Sequence, residues 1–210
     1  MQYQIVFQPS YALLIVGLDA GERVRAEAGA MVSMAASITA AQASASTVTL
    51  AVMELTATEP GSEVTLASAL PGDTAGIALA GTRDLFVQSG SYLASSDGLD
   101  VDTRFGAGTK FFSGAGLTLV RLHGAGTAFV SSYGALREVE LAAGQSYLVD
   151  SGHVVAFESG MGCELVGGSA NWKTTHAGGK GVVVKLTGPG RLWLQTRSPG
   201  GLKEWLRVGA

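Results

Sequence analysis

The chain has 210 residues, of which 30 are glycine, 47% are hydrophobic and only 15% are charged, a composition that excludes a disordered chain and a helical coiled coil. Its net charge of -3 and the lack of any basic run longer than two residues exclude a broad duplex-binding surface, so we expect no nucleic-acid partner. The single Cys163 excludes an intrachain disulfide and the multi-cysteine zinc patterns.

The sequence also shows no sign of a targeting signal or a membrane span. No apolar run approaches the roughly 18 residues of a membrane span, and the N-terminal residues lack the basic start of a signal peptide. We therefore expect a cytoplasmic protein with no transmembrane segment.

Three stretches of the chain align on a glycine. The aligned glycines are Gly29, Gly90 and Gly152, at spacings of 61 and 62 residues. Each follows an apolar run, a lone acid or amide and a small residue, and each is followed by further apolar residues. The lone polar residues are Glu27, Gln88 and Asp150. This pattern is typical of a strand, a tight turn or bulge, and a second strand.

A second motif recurs with nearly the same period. Gly61, Gly126 and Gly190 lie in matching apolar stretches at spacings of 65 and 64 residues. The two motifs together indicate one domain of three repeats, at 1–66, 67–131 and 132–197, followed by a tail at 198–210.

The fold class follows from the short apolar runs separated by glycine. Runs rich in Val, Leu, Thr and aromatics predict an all-β protein, with three β-sandwich-like units around a pseudo-threefold axis. We expect the glycines to serve positive-φ turns and close backbone contacts. The Ala- and Ser-rich stretch 34–50 is interpreted as strand and turn because Ile38 and Thr39 favour strands.

The C-terminal tail gives the one helical signal. Leu202, Trp205 and Leu206 have the i, i+3, i+4 spacing of an amphipathic turn. We expect this short helical turn to dock on the body of the protein, with docking on another subunit as the alternative.

Several of these stretches resemble the altered-inheritance-of-mitochondria family. The resemblance covers nearly the whole chain, and its most specific motif is Gly188-Pro-Gly-Arg-Leu-Trp-Leu-Gln-Thr-Arg-Ser198; the others include Ala26-Glu-Ala-Gly29-Ala-Met-Val32 and Asp150-Ser-Gly-His153-Val-Val-Ala156. It implies a fold similar to the tryptophan RNA-binding attenuation protein. The resemblance implies no particular molecular activity, because that of the family is unassigned; its mitochondrial members are linked to organelle biogenesis.

The chain departs from the family pattern in three places. Ala28 stands where the family tends to carry Pro, and two Gly-rich insertions are shortened or replaced at 41–46 and 168–178. If those insertions carry membrane or partner contacts in relatives, this chain lacks them.

Asp150 and His153 are the first candidate site residues. An Asp that orients a His is one ingredient of acid–base or nucleophilic catalysis. The matching positions in the other repeats are Ala30 and Ser91, and no nucleophile elbow accompanies the pair. A structural turn histidine is therefore the favoured interpretation.

Asp100 and Asp102 are the candidate metal ligands. Two carboxylates two residues apart share a face of a strand and can bind a hard cation. His123, His153 and His176 lack the spacing of a metal motif. A solvated strand edge is the favoured interpretation, and we expect no metal.

Arg121 and Lys185 occupy matching repeat positions and could form ion pairs or line an anion pocket. The glycine-rich run 106–110 has no helix after it, which disfavours a phosphate cradle. Cys163 has no activating base nearby in the sequence and is interpreted as a small core residue.

No catalytic constellation is complete, so the sequence favours a binding or scaffold protein over an enzyme, with no cofactor. The first hypothesis is a non-enzymatic protein that acts by association with itself as a homo-oligomer, with a partner protein or with a membrane surface. The alternative is a small-molecule-binding protein with a pocket between repeats, suggested by the resemblance alone. The third hypothesis is a hydrolase built on Asp150 and His153.

Overall fold

The computed structural model describes residues 1–43, 50–103, 117–166 and 182–207. The residue ranges 1–66, 67–131 and 132–197 are here named the first, second and third segments. The first segment contains β1 Gln2–Val6, β2 Leu13–Leu18, β3 Arg23–Glu27, β4 Met31–Met34, β5 Ile38–Gln42, β6 Val52–Ala57 and β7 Ser62–Leu66. The second contains β8 Thr74–Ala80, β9 Leu85–Gln88, β10 Tyr92–Ser96, β11 Leu99–Asp102 and β12 Leu119–Ser131.

The third segment contains β13 Leu136–Leu141, β14 Ser146–Asp150, β15 Val154–Glu158, β16 Gly162–Val166, β17 Val183–Thr187 and β18 Gly190–Gln195. Two short 3₁₀ turns, Ser89–Ser91 and Ser151–His153, precede β10 and β15, and the helix α1 spans Pro199–Arg207. The all-β prediction with one short C-terminal helix is confirmed.

Strand pairing follows one antiparallel scheme in each segment. In the first segment, β7 pairs with β2 and β4, and β6 pairs with β3 and β5. In the third, β18 pairs with β13 and β15, and β17 pairs with β14 and β16. In the second, the single long strand β12 takes both places, pairing with β8 and β10 along one half and with β9 and β11 along the other.

Two further antiparallel pairings connect neighbouring segments, and we name them the joints. In the first joint β10 pairs with β3, with Ala94 opposite Ala26. In the second joint β15 pairs with β9, with Ala156 opposite Val87. Counted from the aligned glycines, the two joints have the same register. They join the strands into one 11-stranded sheet that runs through all three segments.

Among the described residues, the buried side chains form three apolar clusters that follow the strands. Alternate residues of β2 point inward, and Leu14, Val16 and Leu18 are buried. Phe129 and Trp193 are among the largest fully buried side chains. These two residues therefore fill the core.

Glycine serves two different purposes in this fold. Gly29 adopts a left-handed conformation with φ 93°, whereas its counterparts Gly90 and Gly152 lie in the 3₁₀ turns. Among the three aligned glycines, positive φ is therefore used at Gly29 alone. At Gly72 the requirement is close approach, since a Cβ there would collide with the carbonyl oxygen of Ser132.

Other expectations from the sequence have mixed outcomes. The stretch around Ile38 is a strand, as predicted. The docking of the C-terminal helix on the body or on another subunit stays a prediction: Leu202 is half-buried, whereas Trp205 is 73% exposed. The arrangement about a pseudo-threefold axis stays a prediction. Residues 44–46, the run 106–110, the loop 168–178 and His176 lie outside the described residues.

Candidate interaction surface

The strand β4 exposes apolar side chains that its counterparts bury. Val32 is 59% exposed, whereas Leu93 in β10 and Val155 in β15, at the same distance from the aligned glycines, are both 0% exposed. Met31 and Met34 are exposed as well. The difference in burial thus belongs to the surroundings of β4 and not to the type of residue.

The backbone of β4 has the same irregularity as its counterparts. Its register with β7 shifts between Met31 and Ser33, which leaves Val32 as the bulged residue. The shift recurs between Tyr92 and Ala94 in β10 and around Val155 in β15. A bulge bends a strand and re-aims its side chains. β4 is therefore already shaped like the strands that form joints.

The strand β14 also exposes an apolar side chain whose counterpart is partly buried. Leu148 is 56% exposed, while its counterpart Phe86 in β9 is half-buried and packs on Phe157 of the second joint, with ring centroids 5.3 Å apart. Within the described residues, β14 pairs with β17 and β4 with β7, each on one side alone. Each strand therefore presents one unpaired edge.

The unpaired edges belong to two small sheets. One has the order β1-β2-β7-β4 and the other the order β14-β17-β16. At the second joint, the equivalent groups β13-β18-β15 and β9-β12-β11 lie side by side in one sheet. The two small sheets therefore correspond to the two halves of a joined sheet, and we name them the β4 half-sheet and the β14 half-sheet.

Asp150 is the last residue of β14 and His153 ends the 3₁₀ turn that follows it, but they do not act together. The Asp150 carboxylate accepts a hydrogen bond from the backbone N–H of Gly152 at 2.8 Å and so caps the 3₁₀ turn. The His153 ring lies 2.8 Å, through Nδ1, from the carbonyl oxygen of Gln195. Both contacts hold the backbone of the turn, which supports the interpretation of His153 as a structural histidine.

The remaining candidate residues are spread over two sheets. Arg121 donates to Asp84 at 2.8 Å, and the Lys185 ammonium lies 3.7 Å from Glu164 across the β16–β17 pair. Both cations therefore form ion pairs, one of the two alternatives open from the sequence.

Asp100 and Asp102 both lie on β11. Asp100 is opposite His123, with the His123 Nε2 atom 3.9 Å from the carboxylate, and Asp102 is opposite Arg121. Across residues 1–43, 50–103, 117–166 and 182–207, no group of three His, Cys, Asp or Glu side chains could hold a metal ion.

Cys163 is a half-buried residue of β16 beside the core of the third segment. Burial, with a smaller contribution from the charge of Glu164, raises the pKa of its thiol to about 11. The thiol is therefore protonated near neutral pH, as expected of a core residue.

Glu158 is a buried carboxylate that the sequence interpretation missed. Its carboxylate receives hydrogen bonds from Arg191 at 2.8 Å and from Arg83 at 3.1 Å, so it ties the second segment to the third. Burial alone would raise its pKa, but the hydrogen bonds, led by those from Arg191, outweigh burial and lower it. A lone Glu that ends the apolar run 154–157 in a chain poor in charge was the available signal.

A cavity of about 410 Å³ lies between the second and third segments. The turns at Gly90 and Gly152 line it, together with Gln88, Gln195 and Lys203. Gln195 accepts from the Tyr133 N–H and donates to the Gly152 carbonyl, so its amide is engaged in holding the cavity wall. The cavity is therefore a polar recess whose wall is held in place by the hydrogen bonds of Gln195.

No helix within the described ranges is both long and apolar enough to cross a membrane. A comparison with curated proteins finds no match. Among solved structures, the chain is similar to the X-ray crystal structure of protein SPYM3_0169 from Streptococcus pyogenes, with 18% identity and a TM-score of 0.81. That match covers 100% of this chain and 99% of the other. The family model described as mitochondrial biogenesis AIM24 matches residues 3–197. The chain therefore belongs to the AIM24 mitochondrial biogenesis family.

Proposed function

We propose that this chain is a non-enzymatic assembly protein that acts by self-association through the unpaired edges of β4 and β14. The observation that carries the proposal is the exposure of Val32, whose two counterparts are fully buried in joints. An exposed apolar strand with a free edge is a template for pairing with another chain. The residues expected from the sequence to carry chemistry instead hold turns or form ion pairs, which favours assembly over catalysis.

The test compares the oligomeric state of the wild type and two variants by native mass spectrometry and light scattering. Val32→Asp places a charge where the counterparts are buried, so it should convert the oligomer to a 21.4 kDa monomer. Trp205→Asp is the matched control, because Trp205 is a large apolar side chain exposed on α1, and it should leave the oligomer intact.

Three results would count against this function. A wild-type chain that is monomeric at every concentration would remove it. An oligomer that survives Val32→Asp but is lost in Trp205→Asp would move the interface to the helix. Binding of lipid vesicles by a purely monomeric chain would favour a membrane surface as the partner instead.

A second candidate function is the binding of a small polar molecule in the cavity between the second and third segments. The cavity volume lies within the range usual for ligand sites. A thermal-shift screen with amino acids and metabolites should then yield a compound that raises Tm. The variant Gly90→Phe should cancel that rise, because a Cβ at Gly90 meets no atom within 4 Å and the ring has space to fill the recess. A screen with no stabilising compound would contradict this candidate.

A further inference from the structure

The two joints within the chain define how a second copy would bind. In the first joint Ser95 is opposite Arg25, and in the second Phe157 is opposite Phe86. Both pairs consist of the fifth residue after one aligned glycine and the fourth residue before another. The same rule applied to Gly29 and Gly152 selects Met34 and Leu148, two exposed apolar residues.

We infer that two copies associate head to tail, with β14 of one copy pairing antiparallel to β4 of the next and Met34 opposite Leu148. This inference rests on the proposed function and adds the partner strand and its register. The rule also places Ser33 opposite Val149 and Ala35 opposite Tyr147. The β4 half-sheet and the β14 half-sheet then complete one continuous sheet between two chains.

The side chains at the new joint match the apolar pair of the second joint rather than the polar Ser95–Arg25 pair of the first. The Phe86–Phe157 contact of the second joint would be replaced by a contact between Met34 and Leu148, both large and apolar. Val32 would enter the position that Leu93 and Val155 fill as fully buried residues. The new joint therefore buries the apolar side chains of β4 and β14 that are exposed in a single copy.

A head-to-tail joint has a consequence for stoichiometry. Each copy carries one β4 edge and one β14 edge, and these are different surfaces, so the contact is heterologous. Such contacts form rings when the rotation closes and filaments when it does not. A contact between two β4 edges, or between two β14 edges, would instead stop at a dimer.

Complementation of two blocked variants tests the head-to-tail contact. Val32→Asp blocks β4, and Leu148→Asp blocks β14 with a side chain too short to reach solvent from a closed joint. Each variant alone should be monomeric. Their equimolar mixture should form a 1:1 heterodimer of about twice the chain mass, because each supplies the edge that the other lacks. Both variants should keep the circular dichroism spectrum of the wild type, since both residues are exposed in one copy.

The alternative contacts give different patterns. If Leu148→Asp alone remains oligomeric, the copies join through β4 to β4, and if Val32→Asp alone remains oligomeric, they join through β14 to β14. Either result overturns the head-to-tail inference and leaves self-association standing. A monomeric wild type overturns both.

Disulfide trapping tests the register. In a Cys163→Ser background, a Met34→Cys chain mixed with a Leu148→Cys chain should form a heterodimer under mild oxidation, because directly opposed residues lie within disulfide reach. The control pair of Met34→Cys and Asp150→Cys is two residues out of register, with Cα atoms about 7–8 Å apart, and should form at least ten-fold less. Equal yields from the two pairs would overturn the register.

Discussion

The strands β4 and β10 occupy the same place in two segments and have opposite fates. Both follow an aligned glycine, and each pairs with the last strand of its own segment, β4 with β7 and β10 with β12. Both also have a bulge at the third residue after the glycine. β10 is covered by β3 of the first segment, and Leu93 is fully buried. β4 has no such neighbour among the described residues, and Val32 is exposed.

The comparison shows that apolar character alone does not determine burial in this fold. An apolar strand follows each aligned glycine, and it is buried where a strand of the neighbouring segment pairs with it. The strand β4 has the apolar composition of a core strand but lacks such a partner among the described residues. Three experiments can break or sharpen this contrast between the closed joints and the open edges.

The largest effect is expected from Phe157→Ala in the second joint. Phe157 is buried against Phe86, so truncation should lower the free energy of unfolding by about 3–5 kcal/mol. Met34 occupies the matching position of the open edge, and Met34→Ala should change the free energy by no more than about 0.5 kcal/mol in dilute, monomeric protein. Urea unfolding followed by tryptophan fluorescence measures both values, and similar losses would contradict the contrast.

A smaller effect is expected at the Glu158 carboxylate of the same joint. Glu158→Gln should cost about 2 kcal/mol at pH 7, because it replaces charged hydrogen bonds to Arg191 and Arg83 with neutral ones. The pKa of Glu158 is lowered in the folded chain, so the unfolded chain binds the proton more readily. The stabilisation is therefore present above the ordinary value of 4.5 and is lost as the pH falls through the lower folded pKa.

The matched control for Glu158 is Glu164→Gln. Glu164 forms an exposed pair with Lys185, which should contribute no more than about 0.5 kcal/mol. Stability measured between pH 7 and pH 3 should fall less steeply in Glu158→Gln than in wild type. An unchanged slope would show that Glu158 does not stabilise the joint.

The smallest effect is a difference in thiol alkylation at pH 8. With a pKa of about 11, only about one Cys163 thiol in a thousand is ionised, so alkylation should be slow at all protein concentrations. A second thiol introduced by Leu148→Cys lies at the open edge and should react quickly in dilute protein. Its rate should fall as the protein concentration rises and the edge is covered, and a constant rate would argue against association through β14.

Much of the strand content could be predicted because the aligned glycine motifs are local in the sequence. The aligned glycines and their flanking apolar runs correspond to strand, turn and strand in each segment. The geometry of the turns could not be predicted in the same way. Gly29 is left-handed, whereas Gly90 and Gly152 both lie in 3₁₀ turns, and only the second of these turns has a side-chain cap, from Asp150.

The candidate surface was harder to predict than the fold. Val32 and Leu148 stand inside the aligned motifs, but nothing in their own residues distinguishes them from buried counterparts. Their exposure depends on which strands pair across segments, and that is a long-range property of the sheet. Polar candidates such as His153 are conspicuous in the sequence, but His153 holds the backbone in place.

The long strand β12 has a consequence for how the molecule opens. It runs through 13 residues and pairs with β8, β9, β10 and β11, whereas the other segments divide this task between two strands. Strands on both sides of it must separate before its amides meet solvent. Hydrogen exchange at β12 should therefore report global unfolding, while exchange at β4 and β14 reports local fraying. We therefore expect the second segment to open last and the exposed strands of the segments on either side to open first.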